Sequence, residues 1–200
     1  RIDRGAIVGH IVQAKPKGWK YSPFPDLKAA KPEQLIGFLD QGSGVLRQQA
    51  QWELIKRDGG DVADLLHETV ADPSITLEAR IAALFAINLR NEPGSAQSLK
   101  VFLDDEALTE YALRALLDRK DRSELDLTPI VSYCLKHKNP RVRLQAVVGV
   151  ARLGLNSFNS QLLALSNEKA RPPLKKGVAH VHNAIPHTAR RALIELSPIE

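Results

Sequence analysis

The sequence predicts an all-α fold, a right-handed α-solenoid built from about five helix pairs. Three observations predict it. An alanine flanked four places away on both sides by apolar residues recurs five times: Leu46-Ala50-Leu54, Ala79-Ala83-Ile87, Leu108-Ala112-Leu116, Val142-Ala146-Val150 and Ile185-Ala189-Leu193. Residues spaced i, i+4, i+8 share one stripe of a helix. The central alanines lie 33, 29, 34 and 43 residues apart. Repetition at that interval marks stacked helix pairs, because one pair cannot bury its apolar face alone. Thirdly, three places after each alanine stand Glu53, Ala86, Ala115, Gly149 and Ala192. Four of these five are small, which lets neighbouring helices approach closely.

The elements follow in order. Residues 6–12 are short, apolar and β-branched and predict a strand. One strand is not stable alone, so 1–31 reads as the end of a preceding domain followed by a linker. Pro16, Gly18, Pro23 and Pro25 keep 15–26 extended, and Trp19, Tyr21 and Phe24 are expected to strap it along the first helices. The repeat domain is expected over 32–200. Its helix pairs are predicted at 32–40 with 44–58, 61–71 with 76–91, 95–104 with 106–119, and 127–138 with 140–154. A fifth pair, 157–167 with 184–196, is interrupted by a loop at 168–183. Pro32 and Pro140 suit first helical positions. Asp61, Thr76 and Asn139 are expected N-caps, and Asp104, Asp105 and Glu106 are expected to cap and open the helix at 106. The string Ile81 to Ile87 is apolar on every side, as in a helix sandwiched between neighbours.

Composition bounds the function. Two hundred residues at 44% hydrophobic support one compact domain, and no apolar run approaches the ~20 residues of a membrane span. The lone Cys134 excludes an internal disulfide and a cysteine metal cluster. A chain that starts at Arg1 and holds no methionine reads as a piece of something longer. The net charge of +5 sits in the non-repeat segments: 1–31 and 168–191 each carry +5, whereas 32–167 carries −3. A nucleic-acid-binding solenoid should instead bear its basic stripe along the repeats. No phosphate loop, His-Glu-x-x-His or nucleophile elbow is present, so no catalytic residue and no cofactor is assigned.

The strings Gly44-Val-Leu-Arg-Gln-Gln-Ala-Gln-Trp-Glu-Leu and Asn139-Pro-Arg-Val-Arg-Leu-Gln-Ala-Val-Val-Gly-Val-Ala-Arg-Leu-Gly resemble HEAT repeats. Arg47, Arg80 and Arg143 occupy that family's Arg position, while Thr109 and Pro186 depart from it. The resemblance covers roughly 32–196 and implies scaffolding and protein binding. It also implies that the three arginines form a ladder linking turn carbonyls with Asp72 and Asn139.

The order of parts is similar to one particular setting. A strand, then Gly18-Trp-Lys, Pro25-Asp-Leu, Pro32-Glu-Gln-Leu and a HEAT array ending Ile185-Pro-His-Thr-Ala-Arg-Arg-Ala-Leu resembles the segment that follows the β-propeller in large membrane-bound dehydrogenase-like proteins of planctomycetes and verrucomicrobia. Those proteins commonly end in a c-type cytochrome domain with Cys-x-x-Cys-His. The likeness implies a periplasmic or cell-envelope location and partners such as the propeller or the cytochrome domain.

Within the chain the interrupted fifth repeat stands out. Lys175, Lys176, His180, His182, His187, Arg190 and Arg191 gather in and beside the 168–183 loop and are the expected partner-binding residues. His180, His182 and His187 have ligand character, but no carboxylate lies between Glu168 and Glu195, so a metal site is not assigned. The expected partner is an acidic protein surface or neighbouring domain, with contact strengthening as the histidines protonate. Trp52 and Phe85 hold equivalent places in successive repeats and suggest an aromatic groove. That groove supports the alternative reading, a nucleic-acid-binding or DNA-repair solenoid.

Overall fold

The computed structural model describes residues 14, 16–18, 20, 23–120, 125–169 and 179–197, with positions 179, 180 and 182 described in backbone only. Every regular element among them is helical. The expected strand at 6–12 lies outside the described residues, as do Trp19 and Tyr21.

Ten α-helices follow in order: α1 Pro32–Leu39, α2 Gly44–Lys56, α3 Gly60–Ala71, α4 Leu77–Arg90, α5 Ser95–Val101, α6 Thr109–Leu117, α7 Thr128–Cys134, α8 Pro140–Leu153, α9 Asn159–Ser166 and α10 Ala179–Leu196. Short 3-10 turns at Phe102–Asp104 and Asn156–Phe158 trail α5 and precede α9. Local chemistry sets most of the boundaries. The Gln34 side chain accepts the Lys31 N–H at 2.8 Å, closing the first turn of α1 behind Pro32. Ser43 caps α2 through the Leu46 N–H, and Asn139 caps α8 through the Arg141 N–H. Gly154 at φ 69° and Asn91 at φ 50° take the left-handed conformation that ends α8 and α4.

Four helix starts depart from expectation in position or capping. Gly59 holds the N-cap position of α3, leaving Asp61 in the first turn. Thr76 stands at the cap of α4 but gives its N–H and hydroxyl to Asp40 of the previous repeat, at 3.0 and 2.5 Å. The helix expected from 106 begins at Thr109, because Asp105 builds a turn instead: it accepts the Ala107 N–H at 2.8 Å, and its carbonyl receives Leu108 and Thr109. The largest change is in α10. It starts at Ala179 rather than 184 and carries Pro186 inside it. Proline removes one ladder hydrogen bond and opposes helix, which is why the sequence signals a later start.

The helices pack in a regular succession. Each odd-numbered helix lies on the even-numbered helix that follows it, and α2 packs on α4, α4 on α6, α6 on α8 and α8 on α10. The five key alanines are fully buried, with Leu46, Leu54, Ile87, Leu108, Leu116, Val142, Val150 and Ile185 beside them. Leu193 is only partly buried. Each such leucine or valine contributes about 1.5–3 kcal/mol on burial. Ala86, Ala115, Gly149 and Ala192 are buried where neighbouring helices meet. A Cβ on Gly149 would stand 2.3 Å from Leu117 Cδ1, so here the close approach requires glycine. α4 is not enclosed on every side: Ala82, Leu84 and Ala86 are buried, but Ile81 and Phe85 remain half-buried.

Arginine bonds tie the pairs together. Arg47 donates to the Leu39 and Gln41 carbonyls at 2.9 and 3.1 Å, Arg80 to the Val70 carbonyl at 2.9 Å, and Arg143 to the His137 carbonyl at 3.3 Å. In these three helix pairs the cation thus satisfies free carbonyls where the preceding helix ends. Asp72 and Asn139 are not the acceptors. Asp72 accepts the Ser74 N–H, Asn139 caps its own helix, and the carboxylate that receives Arg80 is Asp105 of the next repeat, at 2.5 Å. The linker is anchored by Leu27, which is buried, and by Arg57 donating to the Leu27 and Lys28 carbonyls at 3.1 and 3.2 Å. Phe24 does not strap the first helices; it is 55% exposed.

Candidate partner-binding surface

The expected contact residues cluster at α10, and its backbone decides which of them can act together. Positions 180 and 182 lie in its first turn rather than on an extended loop. Two places apart on a helix do not share a face, so the i, i+2 convergence expected of an extended loop does not arise there. Lys175 and Lys176 lie outside the described residues.

His187, Arg191 and Glu195 follow at i, i+4, i+8 and form one exposed stripe. Together with Val148, Ala151 and Arg152 of α8, they line a groove of about 400 Å³ between α8 and α10, floored by Ala192. Arg191 pairs with Glu195 at 3.6 Å, and Arg152 with Asp118 at 2.5 Å. These are exposed pairs of small net worth. The guanidiniums can therefore exchange an internal partner for an external carboxylate at little cost. Arg190 belongs elsewhere. It donates to the Ser166 carbonyl at 2.9 Å and closes the C-terminal end of α9, as the pattern arginines do in earlier repeats. Arg152 was not singled out in the sequence, although it stands six places after Ala146 as Glu195 stands six after Ala189.

A second concavity, about 590 Å³, opens between the turn after α5 and α7. Leu103, Ile130 and Tyr133 give it an apolar wall, and Asp104, Glu106 and Asp126 an acidic rim. Glu106 is neutralised by Lys138 at 2.8 Å, and hydrogen bonding from Lys138 holds its carboxyl below the ordinary range. Cys134 sits at its base, 2% exposed, and burial pushes its thiol up to about 11. A thiol held protonated is a poor nucleophile.

Elsewhere the titrating groups are structural. Burial opposes ionisation of Asp105, but the hydrogen bond from Arg80 and the N–H groups of Ala107 and Leu108 outweigh it, and its carboxyl lies below the ordinary range. Asp40 is lowered by the Thr76 hydroxyl and N–H. Among the described residues, no group of three His, Cys, Asp or Glu side chains is placed to hold a metal ion. No described helix is long and apolar enough to cross a membrane. Trp52 is 48% exposed and Phe85 half-buried, with the Arg114 guanidinium 5.4 Å from the Phe85 ring centre.

No protein-family model matches the chain, and no curated protein matches it in sequence.

Proposed function

We propose that the chain is a non-catalytic scaffolding element: a right-handed α-solenoid of HEAT-like repeats that docks an acidic partner or neighbouring domain through its C-terminal repeat. The observation that carries the reading is the succession of second helices, α2 on α4 on α6 on α8 on α10, each carrying the same buried alanine stripe, with a helix-end arginine at the same place in the first, second and fourth pairs. Such arrays present extended surfaces to partners. The segment 168–191 carries +5 against −3 for the helical middle, and the groove between α8 and α10 is lined by Arg152 from one helix and by His187 and Arg191 from the other. That charge pattern suits an acidic protein surface. On the resemblance set out above, the partner is a propeller or cytochrome domain in the cell envelope, and His180, His182, Lys175 and Lys176 extend the contact.

The rival is a nucleic-acid-binding solenoid, which draws on the exposed Trp52. Titrating a fluorescent polyglutamate 20-mer and a duplex DNA of equal charge against the full chain separates them. The scaffold reading expects polyglutamate to bind and the Lys175→Glu, Lys176→Glu, Arg191→Glu variant to lose at least tenfold. Tighter binding of DNA with a steep salt dependence would favour the rival. Polyglutamate binding that ignores the charge reversal would remove the C-terminal repeat from the contact.

A further inference from the structure

The first two repeats expose apolar surface that the C-terminal contact does not use. Positions 45 and 52 share a stripe of α2, and 81, 85 and 89 share a stripe of α4. Val45 is 65% exposed, Trp52 48% and Leu89 50%, with Ile81 and Phe85 half-buried between them. The two stripes are held side by side, because α2 packs on α4 and the Gln51 amide donates to the Ala82 carbonyl at 2.8 Å. A single exposed leucine needs no explanation. A tryptophan and two aliphatic side chains exposed on two helices that pack together do, and tryptophan anchors dominate contact energetics where they occur.

Several charges border this surface: exposed Glu78 on α4, Lys56 paired with Glu53 on α2, and Arg114. Arg114 of α6 lies 5.4 Å over the Phe85 ring. Its neighbour one turn earlier, Glu110, is taken by Arg141 at 2.9 Å, and no carboxylate among the described residues pairs with Arg114. By contrast, the arginines of α2, α4, α8 and α10 each donate to a carbonyl or form an ion pair with a carboxylate. A guanidinium stacked on an aromatic face still offers its N–H edge, which matches a carboxylate with two parallel hydrogen bonds.

We infer that the α2–α4 face, with Arg114, is a docking site for a peptide segment carrying apolar anchors and a carboxylate. Trp52, Leu89 and Val45 receive the anchors. Arg114 receives an Asp, a Glu or a C-terminal carboxylate and sets the direction in which the segment lies. This inference rests on the proposed function only in treating the chain as an interaction protein; it uses none of the C-terminal residues.

The test is selection of a random 12-residue peptide library on the immobilised full chain, followed by affinity measurement of the enriched peptides. The expected peptides combine two or more large apolar residues with an acid. They bind at least tenfold more weakly to Trp52→Ala and to Arg114→Gln, and unchanged to Leu163→Ser, an exposed apolar control on α9. Circular dichroism of each variant confirms folding, which the exposure of these side chains favours. The inference is overturned by no enrichment over the Trp52→Ala protein, by enriched peptides that lack acids, or by binding indifferent to Arg114→Gln. Quenching of tryptophan fluorescence by single-stranded DNA, lost in Trp52→Ala, would overturn it in favour of a nucleic acid. A dimer in sedimentation that Trp52→Ala dissociates would give the face to a second copy instead. Failure here with polyglutamate binding intact dismisses this surface alone; failure of both experiments removes the interaction reading itself.

Discussion

Replacing Gly149 by alanine pits helix propensity against packing, and the structure predicts which wins. In a helix interior, alanine is favoured over glycine by about 1 kcal/mol. The added Cβ would lie 2.3 Å from Leu117 Cδ1 and 2.9 Å from its Cβ and Cγ. Ordinary carbon contacts fall near 3.5–4.0 Å. Rotating the Leu117 side chain moves Cδ1 but not Cβ, and Leu117 is fully buried, so it has nowhere to swing. α8 must therefore back away from α6, an overpacking cost at the upper end of about 1–3 kcal/mol. The net expectation is a loss of about 2 kcal/mol, which at this chain length lowers the melting temperature by about 4–8 °C. Gly37→Ala is the matched control. Its Cβ meets nothing within 4 Å on the open side of α1, so it should gain about 0.5–1 kcal/mol. In a Leu117→Ala background, Gly149→Ala should cost at least 1 kcal/mol less than in the native chain, a coupling that a double-mutant cycle isolates. A Gly149→Ala protein that melts at or above the native temperature, or one whose loss ignores Leu117→Ala, would show that the α6–α8 approach is looser than described.

Three further outcomes follow from the same geometry. Ala83→Leu, at a position with no exposure, should cost about 1–3 kcal/mol by overpacking; an unchanged melting temperature would take Ala83 out of the helix contacts. Arg80→Met orphans the Val70 carbonyl and Asp105 together and should cost about 2–4 kcal/mol in urea midpoints, while Arg191→Met, in an exposed pair, should stay within about 0.5 kcal/mol; equal losses would refute the distinction. Asp105 and Asp40 have folded pKa values below their ordinary ones, so the unfolded chain binds protons first on acidification. Stability should be fully present above the ordinary carboxylate range near pH 4 and fall as pH drops through the folded values. Asp105→Asn should flatten that fall, and an unaltered pH profile of the melting temperature would count against the Arg80–Asp105 pair.

What was legible in the sequence was whatever a period could express. The i, i+4, i+8 stripes found the second helix of each pair, because their alanines and leucines are buried by neighbours of the same kind. The small residues after the last four stripes marked where helices touch. Legibility failed where a single side chain serves two repeats. Thr76 reads as a helix cap by type, yet it is drawn to Asp40 of the previous repeat. Asp105 reads as a first-turn acid, yet Arg80 and the Ala107 N–H pull it into a turn and delay α6. At α10, Pro186 signalled a boundary that the backbone overrides, which recast His180 and His182 from loop residues into helix residues. At the proposed site, composition located the charge. It did not separate Arg190, which serves the end of α9, from Arg191, which faces the groove.

That separation bears on which side chains the helix packing uses and which it leaves outward. Arg47, Arg80, Arg143 and Arg190 spend their guanidiniums on carbonyls at helix ends or beside them, inside or next to their own pair. Stability in such an array is built locally, from nearest-neighbour contacts. The outward face of the even-numbered helices is therefore free to vary without cost to the fold. Along that face the character changes from apolar at α2 and α4, through the unpaired Arg114, to ion-paired arginines at α8 and α10. On the two proposals above, an occupant of α2 and α4 would need apolar anchors, and an occupant of the α8–α10 groove would need acids. Between them α4, α6 and α8 pack in sequence with buried alanines and a glycine at the contacts. On the proposed function, holding two chemically distinct partners at a fixed spacing would rest on side chains that the helix packing does not need.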